Sequence, residues 1–142
     1  MQLFSHDTKA DALSRCGLFR SVSRSDLVQL ARVTEDLEVK EGKVLAREGE
    51  IGQEFFVIID GEVSVTQDGR EIRTLGPGDF FGEIALLKDV RRTATVTAKS
   101  PLRFFVLTRQ GFRSLVAHQP QIGEQVQKAA EERAGAADDP TA

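Results

Sequence analysis

The residues best suited to chemistry lie between positions 76 and 96, where glycines, a carboxylate and an arginine follow in a fixed order. Gly82 comes after a Gly-Pro-Gly-Asp turn at 76–79 and before residues 83–86, whose types favour one short helical turn. The first backbone N–H groups of such a turn lack intrahelical partners and attract an anion. Because glycine has no Cβ, Gly82 would let that anion approach the backbone closely.

Arg92, nine positions after Glu83, is the cation that such an anion needs. A guanidinium can hold two phosphate oxygens at once, which a lysine cannot do. Glu83 is favoured by the helix dipole, and with Arg92 on the phosphate it is free to accept a hydrogen bond from a sugar hydroxyl. Each residue alone has a simpler interpretation, as a helix-start carboxylate or a solvated turn arginine. Their ordered combination favours a site for a phosphate joined to a ribose.

The elements that must position these residues change type twice along the chain. Apolar spacing predicts N-terminal helices over residues 7–31, with a break at 17–23 and N-cap candidates at 23–26. From 34 to 108 the pattern is typical of short strands separated by turns. Helical spacing returns over 109–134, where Pro120 can open the second of two helices. We therefore expect a mainly β domain, a β-roll or jelly-roll barrel with flanking helices, over residues 1–135, and a disordered tail at 136–142.

Three local signals refine the β region. The apolar run at 55–59 predicts a strand buried on both faces. Asp60-Gly61 directly after it predicts a hairpin, and Asp68-Gly69 predicts a second one. Val63 and Val65 alternate with polar residues, which indicates a half-buried strand between the two turns.

Composition excludes several classes of protein. The chain has 142 residues, with 19 Lys and Arg against 22 Asp and Glu, which suits one globular domain without a field that attracts nucleic-acid phosphates. Cys16 has no disulfide partner, and with two histidines a site built from several imidazoles is excluded. No apolar run approaches the roughly 20 residues that span a bilayer, and the N-terminus lacks a secretory signal. We expect a reduced, cytoplasmic setting.

The stretch from 76 to 86, with Arg-Thr-Ala-Thr-Val at 92–96, resembles the phosphate-binding cassette of cyclic nucleotide-binding domains. That family includes the catabolite activator protein, regulatory subunits of cAMP-dependent kinase and cyclic-nucleotide-gated channels. The resemblance covers about residues 10–135, including glycines at 42, 49, 52 and 61, and is greatest to bacterial channel-type domains. It implies a β-roll with N-terminal helices and two C-terminal helices that act as a lid.

The resemblance also implies a role for individual residues. Arg92 would pair with the exocyclic phosphate oxygens, Glu83 would bind the ribose 2′-hydroxyl, and backbone from Gly82 to Ala85 would complete the cradle. Apolar side chains would line the sugar and base. The ligand-binding residues implied in this way are Val65, Phe81, Gly82, Glu83, Ile84, Ala85, Arg92, Thr93, Ala94 and Arg133.

Three positions bear on the choice of ligand and on loop structure. Arg133 resembles the arginine that stacks over the purine in channel-type domains, although a helix-end arginine favoured by the dipole is the alternative. Thr93 matches cGMP-dependent kinases, but channel domains that respond to cAMP also carry threonine there. Arg91 replaces a proline that is frequent in the family. We expect cAMP as the ligand, with cGMP as the alternative, and no other cofactor and no metal.

The sequence thus predicts a non-catalytic regulatory domain. No nucleophile is paired with a base, and a metalloenzyme of the cupin type would need several histidines in barrel strands. The effector would be a partner protein or a domain missing from these residues, because no DNA-binding helix pair, kinase or membrane segment follows the lid. A degenerate domain that serves only protein contacts is the alternative, and the intact Gly82, Glu83 and Arg92 argue against it.

Overall fold

The computed structural model describes residues 6–132, with side chains from Thr8 onward, and places eight strands between N-terminal and C-terminal helices. The helices are α1 His6–Ser14, a 3-10 helix Gly17–Phe19, α2 Arg24–Arg32, a 3-10 helix Glu83–Leu86, α3 Arg109–His118 and α4 Pro120–Glu132. The strands are β1 Glu35–Val39, β2 Val44–Ala46, β3 Glu54–Asp60, β4 Val63–Gln67, β5 Arg70–Leu75, β6 Phe80–Phe81, β7 Thr95–Ala98 and β8 Leu102–Thr108.

The strands form two antiparallel sheets of four strands each, in the orders β1-β8-β3-β6 and β2-β7-β4-β5. Their inner faces enclose one apolar core, and the helices cover the outer face of the first sheet. The expected mainly β fold, a β-roll with flanking helices, is confirmed. None of the helices within residues 6–132 is long and apolar enough to cross a membrane.

β3 separates two hydrophobic cores. Phe55 and Val57 point into the core shared with the helices, whereas Phe56 and Ile58 point into the interior of the roll. All four side chains are at most 3% exposed, so the predicted strand with two buried faces is confirmed. Its neighbour β8 alternates in the same way, and the two paired strands form the wall between the cores.

Only one of the two hairpins predicted at Asp-Gly pairs is present in the structure. Asp68 and Gly69 join β4 to β5 with φ values of 51° and 79°, the geometry of a tight hairpin turn, as predicted. The hairpin predicted at Asp60-Gly61 is wrong, because β3 lies in the first sheet and β4 in the second. The chain crosses between sheets there, and a Cβ on Gly61 would overlap the carbonyl oxygen of Pro101. A turn signal fixes the local bend, whereas packing decides which strand pairs with which.

The helix boundaries follow ordinary capping chemistry. Ser23, inside the predicted N-cap region, accepts a hydrogen bond at 3.3 Å from the backbone amide of Asp26 and opens α2. Thr108 does the same for α3 by accepting from the amide of Gly111 at 3.0 Å. Pro120 is the first residue of α4, as predicted.

α4 is packed against the N-terminal helices rather than standing free. Ile122, Val126 and Ala129 are 2% exposed or less and lie in the helical core. The carboxylate of Glu132 pairs with Arg20 at the end of the helix. The buried face shows that α4 is part of the folded core over its whole described length.

Candidate functional site

A sharp turn from β6 into the 3-10 helix Glu83–Leu86, here called the cradle helix, forms the first part of the site. Gly82 precedes the helix with a φ of +85°, in the left-handed region that favours glycine. The amide of Ala85 donates to the carbonyl of Gly82 at 3.1 Å and closes the first turn. The amides of Glu83 and Ile84 precede that first hydrogen bond, at the helix end that attracts an anion. The predicted short helical turn is confirmed.

Arg92 lies across this turn, with its side chain between two glycines. A Cβ on Gly82 would stand 2.5 Å from Arg92 Nη1, and a Cβ on Gly52 would overlap the Nε and Cζ atoms of the same side chain. Arg92 Nη2 donates to the backbone carbonyl of Glu54 at 2.7 Å. We call the space between Gly52 and Gly82 the Arg92 slot. The structure therefore brings Gly82, Glu83 and Arg92 together, as the sequence predicts.

The slot holds a partly desolvated positive charge. Burial lowers the pKa of the Arg92 guanidinium. The carboxylates of Glu54 and Glu83 raise this pKa, whereas the positive charge of Arg109 lowers it further. Glu83 is itself only 2% exposed at the start of the cradle helix. An anion bound to Arg92 would offset the cost of burial and the repulsion from the second guanidinium.

The apolar residues expected to line the ligand form the inside of the roll. Val65, Phe81 and Ala94 are all at most 3% exposed and belong to the roll core. The Phe81 ring stacks on that of Phe56 with 4.7 Å between centroids, so it is an inner packing residue. These side chains make the wall behind the cradle helix apolar.

The remaining predicted residues lie nearer the surface or outside the described region. Ile84 is half-buried and Thr93 is exposed. The carbonyl of Thr93 accepts a hydrogen bond at 3.0 Å from the side-chain amide of Gln67, which ties the residue after Arg92 to the end of β4. Arg133 and the expected tail at 136–142 lie outside the described residues.

Sequence reasoning missed Arg109, the first residue of α3. Its side chain is buried, and its guanidinium donates to the carbonyls of Ala85, Lys88 and Gly52 and pairs with Asp89. One signal was available: a basic residue in the first turn of a helix is disfavoured by the helix dipole and so needs partners of its own.

A groove of about 660 Å³ lies between residues 86–87, at the end of the cradle helix, and the exposed edges of α3 and α4. Leu86 and Leu87 lie on one side, and Val116 of α3 and Gly123 of α4 lie on the other. Over the described part of the chain, no group of three or more His, Cys, Asp or Glu side chains could hold a metal ion. The candidate site is thus built from one arginine, one glutamate and backbone, and the groove lined by α3 and α4 begins at the end of its cradle helix.

Comparison with known proteins gives consistent results. A family model described as cyclic nucleotide-binding domain matches residues 36–119. The chain is 35% identical over 118 residues to a cyclic nucleotide-gated potassium channel of Rhizobium etli, covering 83% of this chain and 33% of the channel. It is 31% identical over 121 residues to a CRP-like cAMP-activated global transcriptional regulator of Mycobacterium tuberculosis, covering 82% of this chain and 54% of the regulator.

Solved structures agree. A cyclic nucleotide-binding-like protein from Brucella abortus matches with a TM-score of 0.72 and 29% identity, covering 78% of this chain and 99% of that protein. The chain spans about a third of the length of the first curated relatives that it matches.

The slot makes a prediction about Gly52. Its φ lies outside the left-handed region, so Gly52→Ala strains no backbone and only pushes Arg92 away. We expect a loss of about 1–3 kcal/mol of unfolding free energy in urea denaturation, as for overpacking. In the double variant Gly52→Ala/Arg92→Ala, part of that loss should be recovered, because the overlapping atoms are gone.

Gly76→Ala is the matched control, since no atom lies within 4 Å of a Cβ there and φ is again ordinary. It should change stability by no more than about 0.5–1 kcal/mol. Losses that simply add in the double variant would mean that Arg92 does not fill the space above Gly52.

Proposed function

Since this chain belongs to the cyclic nucleotide-binding domain family, we propose that it is a non-catalytic regulatory domain that binds cAMP, with cGMP as the alternative ligand. One observation carries the proposal: the Arg92 guanidinium is held between Gly52 and Gly82, beside Glu83 and the first amides of the cradle helix. This arrangement suits a phosphodiester on a ribose. Arg92 donates a hydrogen bond to a backbone carbonyl, and the nearby carboxylates of Glu54 and Glu83 favour its charged form, which can bind an anion.

Each part of the ligand has a counterpart in the site. The cyclic phosphate would bind Arg92 and the amides of Glu83 and Ile84, where the helix dipole also favours negative charge. Glu83 would accept a hydrogen bond from the ribose 2′-hydroxyl. The apolar wall that includes Val65 would face the sugar and base. The preference for cAMP is supported by the likeness to a regulator named as cAMP-activated.

The effector would lie in a partner protein or in a further domain. The relatives named above are a channel and a transcriptional regulator, and this chain matches only part of each. We place the domain in the cytoplasm, because Cys16 is a buried free thiol, as is ordinary in a reducing compartment. A domain that serves only protein contacts is disfavoured, because it would have no use for a buried charge at Arg92.

Binding would act through the C-terminal helix by a shift in population. A nucleotide that contacts both the cradle helix and α4 would favour the state in which the groove between them is closed. The lid would then include the residues that follow Glu132, and Arg133 is the proposed contact to the purine.

The first test is titration calorimetry with cAMP, cGMP and cyclic dinucleotides on the wild-type protein and on Arg92→Ala. We expect binding of cAMP by the wild type and a loss of roughly 2–5 kcal/mol in the variant, because a buried phosphate charge loses its partner. Arg91→Ala is the matched control, since Arg91 is exposed and donates to the carbonyl of Gly49. Near-wild-type affinity of Arg92→Ala would show that the slot is not the binding site.

The second test concerns the sugar. Glu83→Ala should weaken binding of cAMP by about 1.5–3 kcal/mol, the usual value of a hydrogen bond to a charged group. The 2′-deoxy analogue should lose much less, because it has no hydroxyl to donate. Equal losses on both ligands in parallel titrations would remove the role assigned to Glu83, and exposed Glu50→Ala provides the comparison for a general charge effect.

The third test concerns the lid. Arg133→Ala should weaken cAMP binding by about 0.5–2 kcal/mol if its guanidinium stacks on the purine. Arg32→Ala, which removes an exposed arginine in the last turn of α2, should leave the dissociation constant unchanged. An affinity of Arg133→Ala equal to that of the wild type would favour the dipole interpretation of this arginine over stacking.

A further inference from the structure

Arg109 is a buried charged side chain with several hydrogen bonds, and it lies outside the proposed ligand contacts. It is 6% exposed, and its Nε donates to the carbonyl of Ala85 at 2.6 Å. Its Nη2 donates to the carbonyls of Lys88 at 2.8 Å and Gly52 at 2.9 Å. Its Nη1 pairs with the carboxylate of Asp89. One guanidinium thus contacts two segments that are more than thirty positions apart in the sequence.

Those two segments flank the Arg92 slot. One contains Gly52, and the other is the cradle helix, which directly follows Gly82. Gly52 lies under the Arg92 side chain, and its carbonyl is held by Arg109. Ala85 and Lys88 are at the end of the cradle helix, where backbone carbonyls lack intrahelical partners and carry partial negative charge. Arg109 therefore bridges the cradle helix to Gly52, in addition to the backbone hydrogen bond that the Gly52 amide donates to the carbonyl of Val90.

We propose that Arg109 is a positioning residue for the phosphate cradle: it holds the cradle helix and Gly52 at the distance that keeps Arg92 in its slot. Arg109 does not contact the ligand itself. The inference rests on the proposed function, since it concerns the affinity of the same site.

Electrostatics disfavour a buried cation at the position of Arg109, so its hydrogen bonds must stabilise it there. A cation in the first turn of α3 is disfavoured by the helix dipole, and Arg109 also lowers the pKa of Arg92 by repulsion. Its four partners offset these costs. A lysine would keep the charge but could not reach three carbonyls and a carboxylate in one plane.

The test uses Arg109→Lys and Arg109→Gln, with Arg32→Gln, at an exposed arginine in the last turn of α2, as the matched control. Titration with cAMP should show a dissociation constant raised about tenfold or more in both Arg109 variants, because buried carbonyls lose their donors. Amide hydrogen exchange without nucleotide should be faster at residues 83–88 and unchanged in β8. The control should match the wild type in both measurements.

A merely structural role would give a different pattern. If Arg109 only stabilised the fold, its variants would lower the unfolding midpoint and leave the dissociation constant of the folded protein unchanged. Any change in affinity that they did cause would multiply fully with the loss caused by Arg92→Lys. Positioning predicts that Arg92→Lys/Arg109→Lys binds better than the product of the single losses. Unchanged affinity with unchanged exchange, or full multiplicativity, would overturn the proposal.

Asp89→Ala covers the case in which the Arg109 variants do not fold, since the Asp89 side chain is 73% exposed. Loss of a carboxylate near the cradle would by charge alone tighten anion binding, whereas loosening of Arg109 weakens it, so tighter or equal binding would contradict positioning. If the wild type binds no cyclic nucleotide, the proposed function fails, and the exchange measurement alone decides whether Arg109 fixes the cradle helix.

Discussion

The site depends on holding one guanidinium, that of Arg92, partly out of water at a fixed place near the carboxylates of Glu54 and Glu83. Burial lowers the pKa of Arg92, and its hydrogen bond goes to the Glu54 carbonyl. Such a group is costly to bury, so its surroundings must hold it in place. Two glycines provide this, since a side chain at Gly52 or Gly82 would occupy the space of Arg92. The geometry of the proposed site therefore depends on how closely the backbone packs around Arg92 as well as on its charges.

The two cores explain why that backbone is firm enough. β3 sends alternate side chains into the roll and into the helical layer, and it pairs with both β6 and β8. Its first residue, Glu54, supplies the carbonyl that receives Arg92. From the other side, α3 begins with Arg109, which binds the end of the cradle helix. The cradle helix thus lies where β3 and the start of α3 meet. Both β3 and α3 carry buried apolar side chains that hold them in place.

Features set by short stretches of sequence could be predicted, and features set by distant backbone could not. The short helix after Gly82, the helix opened by Pro120 and the hairpin at Asp68-Gly69 follow from local chemistry. The turn at Asp60-Gly61 has the same local signal but joins different sheets, because the Gly61 backbone lies against Pro101. The contacts of Arg109 could not be predicted from the sequence, because three of its partners are main-chain carbonyls, which any residue type can provide.

The contacts of α4 limit how the proposed closure can happen. Withdrawing Ile122 or Val126 from the helical core would cost about 1.5–3 kcal/mol for each side chain, which exceeds what a modest ligand contact returns. The pair between Arg20 and Glu132 is about half exposed and contributes at most about 1 kcal/mol. A nucleotide would therefore leave Ile122, Val126 and Ala129 of α4 packed in the helical core. In the proposed closure, the buried face of α4 would stay packed while the groove beside Leu87 narrows.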